Sequence, residues 1–491
     1  MIASTKPPVG LAAVVLVATL LIGVHPSAGA GDTASQLTSP DQQHSRLLDR
    51  RVLPAATSRA GSAPTGAFFS SANAADAARN GVADELPDDP AYLAHQPVQG
   101  FSGMIPAGDG TWWALSDNGF GARDNSADYE LVVYRVQPNF GASTPAIVQT
   151  ITLRDPDRHV PWQLVCDRTG AALPDLSINV LPASAPPVCG NDPAARTLTG
   201  FDFDPESIQI DGDGDFWIGE EFGPFLLHTD ITGRLLEPPI SVPGVKAPQN
   251  PMLNVGVEAP NVATSRGLEG LAVSPDRKTL YPLLEGAVGD DHAQDVRLYT
   301  FDISKRQFEG FVRLRLEMPG AKANLTVLRR ADGTPAYPGA IAPSGTGGQA
   351  HGEITAMNST QLLFIERDGE GDGLNAPRFK KVFLIDISPH ATKDGYVDKQ
   401  ILVDLLAVPD PARVGGDGDY FRFPFITIEN VHVVDEHTIL VACDNNYPFS
   451  NGRSRSRSVD RTGPLAPDDT EIILIGLGTK LDVDKRLLTP G

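Results

Sequence analysis

Cysteine and positive charge are what this chain has least of. Three cysteines occur in 491 residues, at positions 166, 189 and 443, and none stands in a CxxC pair. That excludes a zinc ribbon, a thioredoxin-type redox motif and a disulfide-stapled miniature domain. Lys and Arg number 40 against 61 Asp and Glu, for a formal net charge of -21. So acidic a chain is unsuited to nucleic acid or an anionic membrane surface and suited to cations. There is no G-x-S-x-G elbow, and His95, His159, His228, His292, His351, His432 and His437 are scattered without the spacing of a catalytic triad; nucleophilic hydrolase chemistry finds no support. Long helical periodicity is missing as well. With Gly 48 and Pro 42, the composition favours many short strands joined by turns.

The N-terminus carries Lys6, an apolar run from Leu11 to Val24 and the small triplet Ala28-Gly29-Ala30. That order reads as a signal peptide over residues 1–30, placing the protein outside the cytoplasm. The run is too short for a confident transmembrane helix, and no later segment offers another. Residues 31–95, rich in Ala, Ser, Asp and Pro, read as a flexible lead-in that supplies a closing strand around Gly66 to Ser71. The ordered domain is expected over residues 96–485. Cys166 and Cys189 bracket a Pro-rich insertion and are expected to pair, leaving Cys443 buried and free; three reduced thiols are the alternative.

One pattern then recurs five times: a short strand opened by a small or acidic residue, a turn, and a second strand ending in carboxylates. The copies are GFSGMIPAGDGTWWALSDNGFG (Gly100 to Gly121), DPESIQIDGDGDFWIGEEFGP (Asp204 to Pro224), RGLEGLAVSPDRKTLYPLLEG (Arg266 to Gly286), GEITAMNSTQLLFIERDGEGDG (Gly352 to Gly373) and IENVHVVDEHTILVACDNNYPFSNGR (Ile428 to Arg453). Apolar runs such as LVVYRV, VRLYTFDI, KVFLIDI and EIILIGL follow them as outer strands. Repeats of this kind indicate an all-β fold, a β-propeller of four-stranded antiparallel blades with five repeats visible and five or six blades in the ring.

In a propeller the innermost strands line a central channel and the loops at one end converge on its mouth. Glu206, Glu269, Glu353 and Glu429 each open a first strand, with Ser102 in that place in the first repeat. Asp117, Glu220, Glu221, Glu285, Glu366, Asp368 and Asp444 close the second strands. The start of one strand of a hairpin lies beside the end of the next, so both sets fall at one end of the blades. Converging carboxylates repel unless neutralised, and oxygen-only ligation favours Ca²⁺ over zinc or copper. Asn118, Asn430, Asn445 and Asn446 offer neutral oxygens. The competing reading is that Asp and Asn are ordinary turn formers that bond loop backbone.

Other signals are weaker. Asp211-Gly-Asp213-Gly-Asp215 begins like a calcium loop but has Phe222 at the twelfth position, and is read as a tight turn. The run from Asp368 to Asp372 suits a cation or a solvated turn, and the GTGG run near Gly345 lacks the Lys and helix of a phosphate loop. Arg123, Arg266, Arg367 and Arg453 stand near the acidic ends, as clamps for an anion or as partners of neighbouring carboxylates. His351, just ahead of a first strand, is the histidine nearest this pattern.

GFSGM with SDNG, DPESI with GEEFGP, RGLEGLA with LLEG, and IENVHVV with DNNYPFSNGR resemble, in order, the motifs of the phytase-like domain family, also described as having esterase-like activity. The resemblance runs from about Gly100 to Leu477. It implies a propeller with calcium at the channel mouth, with Glu206, Glu220, Glu221, Glu269, Glu285, Glu353, Glu366, Glu429 and Asp444 as candidate ligands. It also implies hydrolysis of a small phosphate ester or other ester, with Glu221 or Glu269 taking a proton from water and Arg266 meeting the developing charge. The dense Lys and Arg set expected around phytate itself is missing. The alternatives are a lactonase or sugar-ester hydrolase propeller and a non-catalytic, calcium-stabilised binding module. A monomer is expected.

Overall fold

The computed structural model describes residues 44–69, 93–167, 192–254, 256–317, 324–327, 341–344, 349–371, 379–416, 418–450, 452–453 and 467–488. Residues 1–30, Cys189, Asp372 and the GTGG run lie outside the described residues.

The strand-forming runs assemble into five blades. The N-terminal strand β1 (Arg46–Leu53) is set aside for the last of them. The first blade is β2 (Gly103–Pro106), β3 (Trp112–Leu115), β4 (Val132–Gln137) and β5 (Ala146–Thr152), and the second is β6 (Pro205–Ile210), β7 (Phe216–Glu220), β8 (Phe225–Thr229) and β9 (Ile240–Ser241). The third is β10 (Leu268–Val273), β11 (Thr279–Leu284), β12 (Asp295–Asp302) and β13 (Gln307–Arg315). After the hairpin β14 (Asn324–Val327) and β15 (Ile341–Ser344), the fourth blade is β16 (Gln349–Ala356), β17 (Gln361–Asp368), β18 (Lys380–Asp386) and β20 (Tyr396–Asp404), with β19 (Thr392–Lys393) added to β20. The hairpin β21 (Val408–Pro409) and β22 (Tyr420–Phe421) precedes the fifth blade, β23 (Ile428–Asp435), β24 (Thr438–Cys443) and β25 (Thr470–Gly476), whose outer strand is β1.

The inner strands β2, β6, β10, β16 and β23 neighbour one another in that order, and β23 returns to β2. The ring therefore closes with five blades, and the lead-in forms part of the fifth. Its closing strand is Arg46–Leu53 and not the segment expected around Gly66 to Ser71; β1 pairs antiparallel with β25 from Arg46 opposite Gly476 to Leu53 opposite Thr470. Such closure shields the edge that β25 would otherwise present.

The second strand of each blade is buried on both faces, which is why these strands read as continuous apolar runs. Alternate residues serve alternate neighbours: Trp112 packs with Leu440 and Ile472 of the fifth blade, while Trp113 packs with Ile208 and Phe216 of the second. Separate clusters fill the other gaps, Trp217 with Leu271 and Phe301, Leu283 with Ile354 and Phe364, and Leu363 with Val431 and Ile473. The inner strands approach closely enough that glycine is required in places. A Cβ on Gly267 would collide with the Glu221 backbone, and one on Gly352 with the Ile428 carbonyl.

Cys166 is disulfide-bonded and Cys443 is a buried free thiol. No helix among the described residues is long and apolar enough to cross a membrane.

If β1 holds the ring closed, its inward side chain carries the stability. Leu47 is 2% exposed within the cluster between the fourth and fifth blades, and Leu48 is 38% exposed. Leu47→Ala is expected to cost about 2–4 kcal/mol in urea unfolding, and Leu48→Ala about 0.5 kcal/mol or less. Equal costs would remove β1 from the structural ring.

Candidate functional site

The inner strands do not run evenly into the mouth. Pairing between first and second strands slips between Pro205 and Ser207, Leu268 and Gly270, His351 and Ile354, and Ile428 and Asn430. The residues bypassed include Glu206, Glu269, Glu353 and Glu429. Four blades thus place a bulge at the glutamate that opens the strand, and a bulge re-aims its side chain away from the regular pleat. The first blade, with Ser102 in that place, pairs Gly103 with Leu115 without a shift.

Eight carboxylates line a cavity of about 150 Å³ at this end of the channel: Asp117, Asp204, Glu206, Glu221, Glu269, Glu285, Glu429 and Asp444. Asn118, Gly121, Asn446, Ser265, Thr427 and Arg367 complete the lining. Ser265 and Asn446 both hold left-handed backbone, φ 48° and 41°, a strained conformation for residues with a side chain. Asp204, Glu206 and Glu221 offer oxygens within 4.8 Å of one another, and so do Glu221, Glu269 and Glu285. A larger concavity of about 750 Å³ on the flank, lined by Trp113, Arg135, Arg154 and Ile231 among others, is open to solvent and gathers no comparable set of acids.

The site is braced by backbone. Asp117 accepts hydrogen bonds from Gln99 Nε2 at 2.9 Å and Gly119 N at 2.7 Å. Asp444 accepts from Gly100 N at 3.1 Å, across the seam between the fifth and first blades, and from Asn446 N at 2.7 Å. Asn118 N donates to Asp204 at 3.2 Å. Glu221 Oε1 is buried and has no hydrogen-bond partner, an uncompensated acceptor of the kind that a ligand or ion satisfies.

Burial and mutual repulsion raise the proton affinity of six of these acids. Loss of water pushes Asp117 up to about 6. Burial and the Asp117 charge push Asp204 up to about 7. Glu206, Glu221, Glu269 and Asp444 lie well above the carboxylate range, first through burial and then through Asp204, Glu285, Glu429 and Asp117 respectively. Two arginines counter this charge. Arg266 at the rim pairs with Glu285, and buried Arg367 lies 2.6 Å from Glu429.

Of the nine candidate ligands, Glu206, Glu221, Glu269, Glu285, Glu429 and Asp444 meet at the mouth, as does Asp117, and three do not. Glu220 turns back to accept from Phe222 N at 2.9 Å and Gly223 N at 2.7 Å. Glu353 accepts from Leu271 N at 2.8 Å and Ile354 N at 2.9 Å, tying the third blade to the fourth. Glu366 bonds Lys399 Nζ at 2.6 Å. Asp368 likewise turns away, 3.0 Å from buried Lys380. Glu366 and Asp368 share one face of β17, so Arg367 between them takes the other, as strand alternation requires.

The remaining candidates serve the scaffold. His351 Nε2 bonds the Leu284 carbonyl at 2.9 Å, Arg123 bonds the Phe201 carbonyl at 3.0 Å and lies over its ring, and Arg453 pairs with Glu471 at 2.6 Å. Asn430 donates to the Phe101 carbonyl. Asp211 accepts from Asp213 N and Asp215 N, the tight turn read in the sequence. Asp204 is not among the sequence's candidate ligands; it stands just ahead of β6, two residues before Glu206, and its place at the head of the DPESI motif was the available signal.

The chain is similar to an uncharacterized secreted protein of Arthroderma benhamiae, 26% identical over 242 residues that cover 40% of this chain and 46% of that protein. It thus spans less than half the length of that relative. Among solved structures it is similar to an arabinanase of Bacillus subtilis (12% identity, TM-score 0.33, covering 77% of this chain and 94% of that one). It is similar also to a calcium-binding protein, regucalcin, of Agrobacterium tumefaciens (11% identity, TM-score 0.30, covering 89% and 96%). At these scores the likeness transfers neither substrate nor cofactor. The family model described as phytase-like, with the esterase-like activity of phytase, matches residues 96–447, and the chain belongs to that family.

Proposed function

We propose that this protein is an exported, calcium-dependent hydrolase of small phosphate esters or related esters, acting at the acidic mouth of its channel. The observation that carries the reading is the convergence of Asp204, Glu206 and Glu221 within 4.8 Å, with Glu221 Oε1 buried and unpartnered. An all-oxygen, multiply charged donor set fits a hard divalent ion and does not fit zinc or copper. Export is supported by the signal-like residues 1–30 and by the family relative named as secreted.

In this reading Asp204, Glu206 and Glu221 hold the ion. When bound, it supplies charge neutralisation at the ester oxygens and a more acidic water. Glu269 stands next to this set and would accept the proton of the attacking water once its own had been displaced by a bound cation; burial and the adjacent Glu429 raise its affinity for a proton. Arg266, at the rim, meets the negative charge that develops on the substrate. A second reading, a lactone or sugar-ester substrate, is favoured by one observation: against eight acids the mouth presents only Arg266 and Arg367 among the described residues, few cations for a highly phosphorylated molecule.

Turnover of phosphate monoesters and of lactones, each with calcium and with chelator, separates these readings. Calcium-dependent activity is expected to fall roughly a hundred- to ten-thousand-fold in Glu221→Gln and Glu269→Gln, whereas Glu366→Gln retains it. A folded, calcium-binding protein that hydrolyses neither substrate class would leave only the binding-module reading.

The same acids set a pH dependence. Asp117 and Asp204 titrate near 6 and 7 in the folded chain against about 4 when unfolded. The folded state therefore keeps protons that the unfolded state releases. Their stabilising effect is complete below about pH 4 and is lost as pH rises through 6 to 7. In chelator, Tm is expected to fall between pH 5 and 7.5, and excess calcium to remove that fall by replacing the protons. A Tm that stays level in chelator across this range would contradict the burial of these acids in one mouth.

A further inference from the structure

Positive charge is distributed unevenly around the mouth. Four blades end their second strands with an acid in the cavity, namely Asp117, Glu221, Glu285 and Asp444, while the fourth blade contributes Arg367. The Arg367 side chain is 7% exposed, with Nη2 2.6 Å from Glu429 Oε1 and 3.8 Å from Glu269 Oε1. Nη1 donates to the Ile426 carbonyl at 3.2 Å, and Nε is buried without a partner. The backbone behind it is fixed by fully buried Lys380, whose Nζ donates to the Asp368 carbonyl at 2.5 Å. No Lys or Arg among the described residues forms an ion pair with Asp204, Glu206 or Glu221, the set across the cavity.

A guanidinium stays protonated under all conditions in which a protein is folded, and its planar fork suits buried pairing with carboxylates. At 2.6 Å it compensates the charge of Glu429, and at 3.8 Å it bears more weakly on Glu269. It also repels a divalent ion approaching the same oxygens, an interaction little screened in a buried site. Glu269 belongs to the second triad, with Glu221 and Glu285, and Glu285 is itself engaged by Arg266. Both arginines thus stand beside the second triad; Arg266 also acts on Glu221, which the triads share, but neither forms an ion pair with Asp204 or Glu206.

We propose that Arg367 is a resident counter-ion that keeps the Glu269 and Glu429 side of the mouth closed to metal and so confines the bound cation to Asp204, Glu206 and Glu221. The inference rests on the cation reading given above. It treats Arg367 as a positioning residue: it sets where the ion lies and how many ions the mouth takes, without touching the reacting atoms.

Calcium bound per chain, counted by equilibrium dialysis at saturating calcium on the full protein, tests this. The wild type and Arg367→Lys are expected to bind one ion in the mouth, and Arg367→Met one more. Asp204→Asn is expected to lose the single ion, and the double variant Asp204→Asn, Arg367→Met to keep one. Thermal melts provide a second readout. Arg367→Met leaves two glutamates without their cation, so in chelator it should melt below the wild type, and added calcium should raise its Tm more than the wild type's. An unchanged count in Arg367→Met, a melting deficit that calcium does not recover, or a wild type that already binds two ions would each overturn the role of Arg367. A wild type that binds no calcium would overturn the cation reading as well.

Discussion

Eight carboxylates sharing a cavity of about 150 Å³ is the constraint that organises this molecule. Two full negative charges about 5 Å apart repel by about 3 kcal/mol at an effective dielectric of 20. The three pairs of one triad would then cost on the order of 10 kcal/mol, comparable to the whole net stability of a domain. The folded chain cannot carry these groups fully ionised and unaccompanied. The structure shows two of the available remedies, proton retention at Asp117 and Asp204 and arginines at Glu285 and Glu429. Neither gives Glu221 Oε1 a hydrogen-bond partner.

That concentration of charge is tolerable because the fold isolates it from the packing. Five apolar clusters, one in each gap between blades, contain the large side chains, whereas the acids sit where inner strands begin and second strands end. Closure of the ring serves both regions. The seam between the fifth and first blades is held by β1 on β25 at the periphery and, near the axis, by Gly100 N on Asp444 and by Asn430 on the Phe101 carbonyl. One of the eight acids is therefore oriented by the contact that joins the fifth blade to the first.

The repeats were legible because each blade rewrites the same alternation of apolar strand and polar turn. The five first strands and the outer strands after them lie where those runs stand. Blade number was not legible, since β1 is separated from its partner β25 by nearly the whole sequence and its RLLDRRVL has no counterpart among the repeats. In the site, composition at strand ends identified the acids, but not the face each one takes. Glu220 and Glu221 are adjacent and point to different fates; Glu366 and Asp368 leave the mouth while Arg367 enters it. In β17 plain alternation decides the face, and at the head of the inner strands a bulge of one residue does. Glu353 lies in a bulged segment as Glu206, Glu269 and Glu429 do, yet its carboxylate caps the Leu271 and Ile354 amides. Where a backbone donor lies within reach, that bond competes with the cavity for the side chain.

Glu221 belongs to both triads, and this links the two blades on which the mouth most depends. Its backbone N–H bonds the Asp204 carbonyl at 3.0 Å within the second blade, and its backbone lies so close to Gly267 of the third that no side chain fits between them. A positive charge drawn to one triad must therefore alter the other, because both compete for the same carboxylate. An arginine fixed beside Glu269 biases that competition before any ligand arrives. The asymmetry of the mouth then follows from a single exchange of acid for base in the fourth blade, on a strand whose alternation leaves Arg367 no other face to take.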